Sequence, residues 1–388
     1  MAIHTSDLVA AFEETFLRKP RWLARAPGRV NLIGEHTDYN EGYVLPMALE
    51  CNTAMVAALR RDRRYRIFSK RKGAWGAFTP ALDMPPKKTW LRYLYGVARE
   101  FQRVQPDLPG LDVLLWSDVP MGSGLSSSAA LEMVFLRLLE HVTKHELPAA
   151  DAAALGQKVE HEYVGVPCGI MDQFASRAAQ KDTALFLDCR TLEYRTIPIR
   201  FPDHAFVIAD TGVPRFLRES AYTQRVAECR AAVQALSQYY QRAATALRDF
   251  TLDELQQAES ALDSVSFRRA RHVLTENQRV LGACGALANG EAARFAQLLI
   301  ESHESLRNDY EVTGKFLDTM VHLALAHPAC LGGRMTGAGF GGATLHVVEK
   351  KGVEAFTAYL GEAYRNETKL EPQIFTSAAA DGAHAEDL

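Results

Sequence analysis

Between positions 28 and 42 the chain reads GRVNLIGEHTDYNEG, which gathers Arg29, Glu35, His36 and Asp38 just after a Pro-Gly turn. A guanidinium stays charged at any working pH and can face a carboxylate and an anionic ligand at once. Two carboxylates and an imidazole beside it are directional hydrogen-bonding groups that can orient a polar ligand. The competing reading is a solvated acidic turn.

A second stretch, VPMGSGLSSSAALE at 119–132, joins a strand to a helix beginning near Ser128. Gly122 and Gly124 let backbone approach a ligand without a Cβ in the way. Ser126, Ser127 and Ser128 add hydroxyls to the unpartnered N–H groups of a first helical turn, which makes an anion site for which phosphate is the natural guest. No lysine follows the glycines, so the loop is not a Walker motif and relies on backbone and hydroxyl donors. A serine-capped helix after a flexible turn is the alternative.

The third stretch, GGRMTGAGFGGATLHVV at 332–348, fits G-x-G-x-x-G from Gly337 to Gly342. A dinucleotide fold needs a helix after that pattern, whereas alternating β-branched residues follow here, so the Rossmann reading is rejected. The glycines imply close packing, against a ligand or against another loop.

Elements must carry these stretches. TAMVAAL (53–59), YRIF (65–68) and LDVLLWSDV (111–119) read as strands, and 128–143 and 151–164 carry apolar residues at helical spacing. Strands follow at 183–188 and 205–210, an Ala-rich helical region at 219–312, and then a strand at 343–348, a helix near 352–365 and a strand near 372–377. Leu8, Val9, Phe12 and Phe16 predict an N-terminal helix capped near Ser6, and the tail AAADGAHAEDL reads as frayed. A length of 388 residues predicts two domains, divided near residue 180. The net charge of −3 argues against nucleic acid or an anionic membrane as the partner. Six cysteines without a C-x-x-C pair read as buried thiols of a reducing compartment, so a cytoplasmic protein is expected.

Taken in order, the three stretches resemble the GHMP kinases, and APGRVNLIGEHTDYNEGYVLPMAL (26–49) resembles the galactokinase signature nearly throughout. GVPCGIMDQFAS (165–176), ESAYTQRVAEC (219–229), RARHVLTENQRV (269–280) and SHESLRNDYEVT (302–313) extend the resemblance over essentially the whole chain. Met121, Ser123, Thr223, Asn308 and the VTGKF segment depart from the family pattern.

The resemblance implies an α+β, two-domain GHMP kinase fold with mixed sheets and the active site in the cleft between domains, 1–180 and 181–388. It implies ATP-dependent phosphorylation of the anomeric hydroxyl of α-D-galactose, with ATP as co-substrate and Mg²⁺ as cofactor, by a monomer. It implies that Glu35, His36, Thr37, Asp38, Gly169 and Tyr222 bind the sugar and that Gly122, Ser123, Gly124, Leu125, Ser126, Ser127 and Ser128 bind ATP. Ser128 and Glu160 would hold the metal, Arg29 would stabilise the transferring group, and Asp172 would accept the proton. Two alternatives stand beside this: a kinase for a related sugar such as N-acetylgalactosamine, and a galactose sensor of the same fold without turnover.

Overall fold

A computed structural model describes residues 4–81, 84–213 and 218–388. Its strands are β1 (Trp22–Asn31), β2 (Tyr43–Val44), β3 (Pro46–Leu59), β4 (Tyr65–Ser69), β5 (Ala74–Phe78), β6 (Leu111–Ser117), β7 (Thr183–Asp188), β8 (Tyr194–Pro198), β9 (His204–Asp210), β10 (Cys330–Thr336), β11 (Ala343–Glu349), β12 (Gln373–Ser377) and β13 (His384–Asp387). The α-helices are α1 (Thr5–Phe16), α2 (Thr89–Phe101), α3 (Ser127–Thr143), α4 (Ala149–Val159), α5 (Met171–Ala178), α6 (Arg218–Tyr240), α7 (Leu252–Gln257), α8 (Ser264–Asn289), α9 (Ala292–Ser305), α10 (Gly314–Ala326) and α11 (Val353–Thr368).

The first sheet is mixed, in the order β13-β1-β3-β6-β4-β5, with β4 parallel to β6 and its other pairs antiparallel. Alternation along these strands sends apolar side chains to both faces. Leu8, Phe12 and Phe16 of α1 close one face over Leu23, Val56 and Leu114. Leu94 of α2 and Phe135 of α3 pack with Met55, Ile67 and Val113 on the other. A four-stranded antiparallel sheet, β10-β11-β9-β12, and a small sheet, β2-β7-β8, make up the rest.

The expected strands and helices are present, with several differences. The frayed tail is instead strand β13, paired from His384 to Asp387 with Arg25 to Trp22, so the chain returns to its first sheet. Four residues of small and charged type give no period to read, and the pairing is supplied by an edge strand far away in sequence. The helix expected over 151–164 leaves α geometry at Val159 and finishes in one π turn, Glu160–Val164. The cap expected near Ser6 is absent: α1 begins at Thr5 after His4, without a side-chain capping bond. All six thiols are free; Cys229 and Cys284 are buried and the other four are half-buried. Among the described residues no helix is long and apolar enough to cross a membrane.

Helix α8 positions the Arg29-to-Gly42 segment from outside. Glu276, fully buried, accepts from the Gly34 N–H (2.9 Å) and the Ser302 hydroxyl (2.7 Å) and pairs with Arg279 (2.6 Å). Burial alone would raise the Glu276 pKa, but the charges of Arg279, His272 and Arg334 overcome it and hold the group at about 2. Asn277 accepts from the Tyr43 N–H (2.9 Å) and His272 bonds the Glu35 carbonyl (3.1 Å). Removing one member of a buried pair leaves the others desolvated and unpaired, which costs about 3–5 kcal/mol. Glu276→Ala is therefore expected to lower the urea-unfolding free energy at pH 7 by about that amount.

Candidate active site

Strand β1 carries Pro27 and Gly28 in its middle, and its register against β3 shifts between Pro27 and Arg29. Such a bulge re-aims the side chain that follows it. The Arg29 guanidinium thereby reaches Asp172, in the first turn of α5, through Nε (2.9 Å) and Nη2 (2.5 Å) to a single oxygen. Its Nη1 donates to the Gly124 carbonyl (2.5 Å), and the other Asp172 oxygen accepts from the Ser126 hydroxyl (2.5 Å). Residues 143 apart in sequence are thus brought into one hydrogen-bonded group.

That group faces a cavity of about 280 Å³ bordered also by Glu35, His36, Asp38, Ser128, Glu160, Gly169 and Tyr222. Both Glu35 oxygens accept from protein: Asn31 donates to one, and Thr336 (3.0 Å) and the Gly337 N–H (2.5 Å) donate to the other. His36 has φ +64°, bonds the Tyr39 hydroxyl through Nδ1 (2.9 Å), and leaves its buried Nε2 without a protein partner. Burial, helped by the neighbouring His272 and Arg225, lowers its pKa to about 3, so the ring is neutral. Thr37 turns away from the cavity and donates to the Gly34 and Tyr43 carbonyls, closing the loop on itself. Tyr222 of α6 packs edge-on against Tyr39 and tilted against His36, with ring centroids 5.1 and 6.0 Å apart.

Asp38 opens a short 3₁₀ turn and sits against Gly169. A Cβ on Gly169 would fall 1.6 Å from Asp38 Oδ2, so only glycine fits there. Burial first, and then the Asp172 and Glu35 charges, push the Asp38 pKa up to about 7.

The Gly-Ser loop divides its labour. Gly122 and Gly124 take φ of +91° and +79°, and Ser126 takes +60° just before α3. Ser123 donates to Asp210, Ser126 to Asp172, and Leu125 is buried in the core. These residues can offer a ligand only backbone, while Ser127 and Ser128 stand in the first turn of α3. The second Gly-rich loop packs on this one: a Cβ on Gly337 would lie 3.2 Å from the Gly124 carbonyl oxygen. The second loop thus packs against the first, and Gly337 also borders the cavity.

A second cavity, of about 560 Å³, shares Tyr93 and Ser128 with the first. Arg71, Lys72, Lys88, Trp90, Ser127 and Met121 border it. Sequence reasoning missed most of this wall, because α2 and the hairpin before it show no motif. The cluster of basic residues at 70–72 and 87–88 was the available signal.

A fold of this layout, with a Gly-Ser loop feeding α3 beside the cavity, defines the GHMP kinase class. The GHMP kinases N terminal domain matches residues 92–179 and the GHMP kinases C terminal model matches 284–366. A mevalonate kinase from Methanococcus jannaschii superposes with a TM-score of 0.62 at 16% identity, covering 92% of this chain and 98% of the other, a likeness of fold alone. The galactokinase galactose-binding signature matches residues 10–59. Chloroflexus aurantiacus galactokinase is 43% identical over 96% of each chain. The structure of Lactococcus lactis galactokinase complexed with galactose superposes with a TM-score of 0.92 at 35% identity, covering 97% of this chain and 98% of that one. The chain belongs to the galactokinase family.

Two outcomes follow from the geometry around Asp38. Gly169→Ala is expected to weaken binding of a sugar in the first cavity by at least about tenfold, equivalent to about 1.4 kcal/mol, with nucleotide affinity nearly unchanged, as read by calorimetric titration of each. Because the folded-state pKa of Asp38 lies above its unfolded value, the native protein holds the extra proton between about pH 4 and 7, and this contribution to stability falls as pH rises through that window. Asp38→Asn is accordingly expected to raise the urea midpoint at pH 8 and leave it unchanged near pH 4.

Proposed function

We propose that the protein transfers the γ-phosphoryl group of ATP to the anomeric hydroxyl of α-D-galactose, giving α-D-galactose 1-phosphate and ADP. The observation that carries this reading is the meeting of two cavities at Ser128, with the Arg29–Asp172 pair facing the first of them. The sugar occupies the smaller one. There Asp38, the open Nε2 of His36, Tyr222 and the rim of Glu35 supply donors and acceptors to a ring of hydroxyls, which neither mevalonate nor homoserine has. The nucleotide occupies the larger one, its phosphates running past the first turn of α3 toward Arg29.

Phosphoryl transfer needs alignment, neutralised charge and a destination for one proton. Asp172 accepts the anomeric hydroxyl's proton, the freed oxygen forms its bond to the γ-phosphorus, and the bond to the ADP oxygen breaks. Arg29, charged throughout, orients Asp172 and offsets the negative charge that spreads over the transferring group. Ser128 and Glu160 suit Mg²⁺: one hydroxyl and one carboxylate leave room for the phosphate oxygens and waters that this ion retains. An ion held there would supply positive charge to offset that of the phosphates.

The test is ADP release from Mg-ATP with a panel of sugars. Turnover on galactose well above the rest is expected. Turnover confined to an amino sugar, or binding of sugar and ATP without turnover, would overturn the assignment. Asp172→Asn is expected to keep galactose binding and lose about 10²–10⁴-fold in turnover, the range for a positioned proton acceptor.

A further inference from the structure

Three helices bring the proposed chemistry to the cavity: α3 carries Ser128, α5 carries Asp172, and α4 runs into the turn that begins with Glu160. Their mutual spacing is set at one buried junction. Glu132 lies one helical turn after Ser128 and has no exposed surface. Gln173 directly follows Asp172, is also buried, and donates from Nε2 to Glu132 Oε2 (3.1 Å). Gly156, one turn before Glu160, completes the junction because a Cβ there would lie 2.7 Å from Gln173 Cγ, 2.8 Å from Met133 Cε and 3.2 Å from Glu132 Oε2. Each member of this junction is thus one or four residues from a group that the proposed reaction uses.

Two atoms at the junction are left over. Glu132 Oε1 and Gln173 Oε1 are both buried and both without a partner. Both are acceptors when the carboxyl is ionised, and a buried acceptor without a donor costs about 1–3 kcal/mol. A single proton on Glu132 Oε1 would turn one orphan into a donor and leave the other its acceptor, which beside the bond already present is the pairing of a carboxylic acid with a primary amide. Burial of the carboxyl favours that proton and raises the Glu132 pKa.

We propose that Glu132 and Gln173 form a reciprocal acid–amide pair that fixes the spacing of Ser128, Glu160 and Asp172, which makes Glu132 a positioning residue for phosphoryl transfer. The inference rests on the reading of the site given above, and wild-type turnover on galactose tests that reading separately. Glu132→Gln rebuilds the same pairing between two amides with no ionisable proton, whereas Glu132→Leu keeps the volume and breaks the pairing. The expected result is near-wild-type kcat for Glu132→Gln. Glu132→Leu is expected to lose at least tenfold in kcat per folded molecule, with the dissociation constants for galactose and for ATP within about threefold of wild type. Because Glu132→Leu can fail to fold, Gly156→Ala provides the second arm: it pushes α4 off the pair and is expected to show the same loss of kcat with binding retained. A Glu132→Gln enzyme as impaired as Glu132→Leu would show that an ionised carboxylate is needed and overturn the proposal. So would undiminished kcat per folded molecule in Glu132→Leu or in Gly156→Ala.

Discussion

The Arg29 guanidinium donates to Asp172 through Nε and Nη2 and to the Gly124 carbonyl through Nη1, so β1, α5 and the loop before α3 meet on one planar group. Its side chain is only 5% exposed. A buried cation without partners would be costly, so these contacts also determine where the loop and the helix can sit. The Ser126 hydroxyl closes the circuit by donating to the other Asp172 oxygen, and its left-handed φ of +60° is the local strain this arrangement requires. Displacing any one of these groups would move the others.

Around this hub the protein collects more acid than base. Asp38, Asp172, Glu35 and Glu160 border a single cavity, with Glu132 behind it. Four different devices keep such a crowd folded. Glu35 is held by donors from β1 and from the second Gly-rich loop, and Arg334 adds an ion pair at 3.6 Å. Asp172 has Arg29. Asp38 titrates near neutrality because burial and its acidic neighbours disfavour the charge. Glu132 pairs with a neutral amide. An acidic, concave wall with a neutral imidazole suits a ligand made of hydroxyls, while the cations of the neighbouring cavity, Arg71, Lys72 and Lys88, suit phosphates.

Burying so polar a loop requires partners from elsewhere in the chain. Helix α8 supplies Glu276, Asn277 and His272 to the backbone of residues 34–43, and the Tyr39, Tyr310 and Cys229 side chains form a chain of contacts beneath His36. Bonds within the loop add to that rigidity: His36 Nδ1 meets the Tyr39 hydroxyl, Asn40 donates to the His36 carbonyl and Thr37 donates to the Gly34 and Tyr43 carbonyls. That leaves His36 Nε2 and Asp38 facing the cavity.

The reach of the sequence varies with the range of the interaction. Hydrophobic alternation and helical spacing made most strands and helices legible, since those periods are local. The Gly-Ser loop and the acidic signature were legible because each concentrates unusual residue types in a few positions. Strand β1 was hidden by its Pro-Gly bulge, β13 by its shortness and the basic wall of the second cavity by its lack of a motif. The sequence by itself determined which groups are present: Arg29, Asp172, Asp38, His36, the serines of α3 and the glycines that would tolerate close approach. Only the tertiary structure decided which of them face the cavity and which are consumed in holding it. Thr37, Leu125 and Ser123 turn inward, Gly337 packs on Gly124, and Gly169 is needed because Asp38 occupies the space of its missing Cβ. Those outcomes depend on contacts between residues tens to hundreds of positions apart, and no local period encodes a distance between two side chains that meet only after the chain has folded.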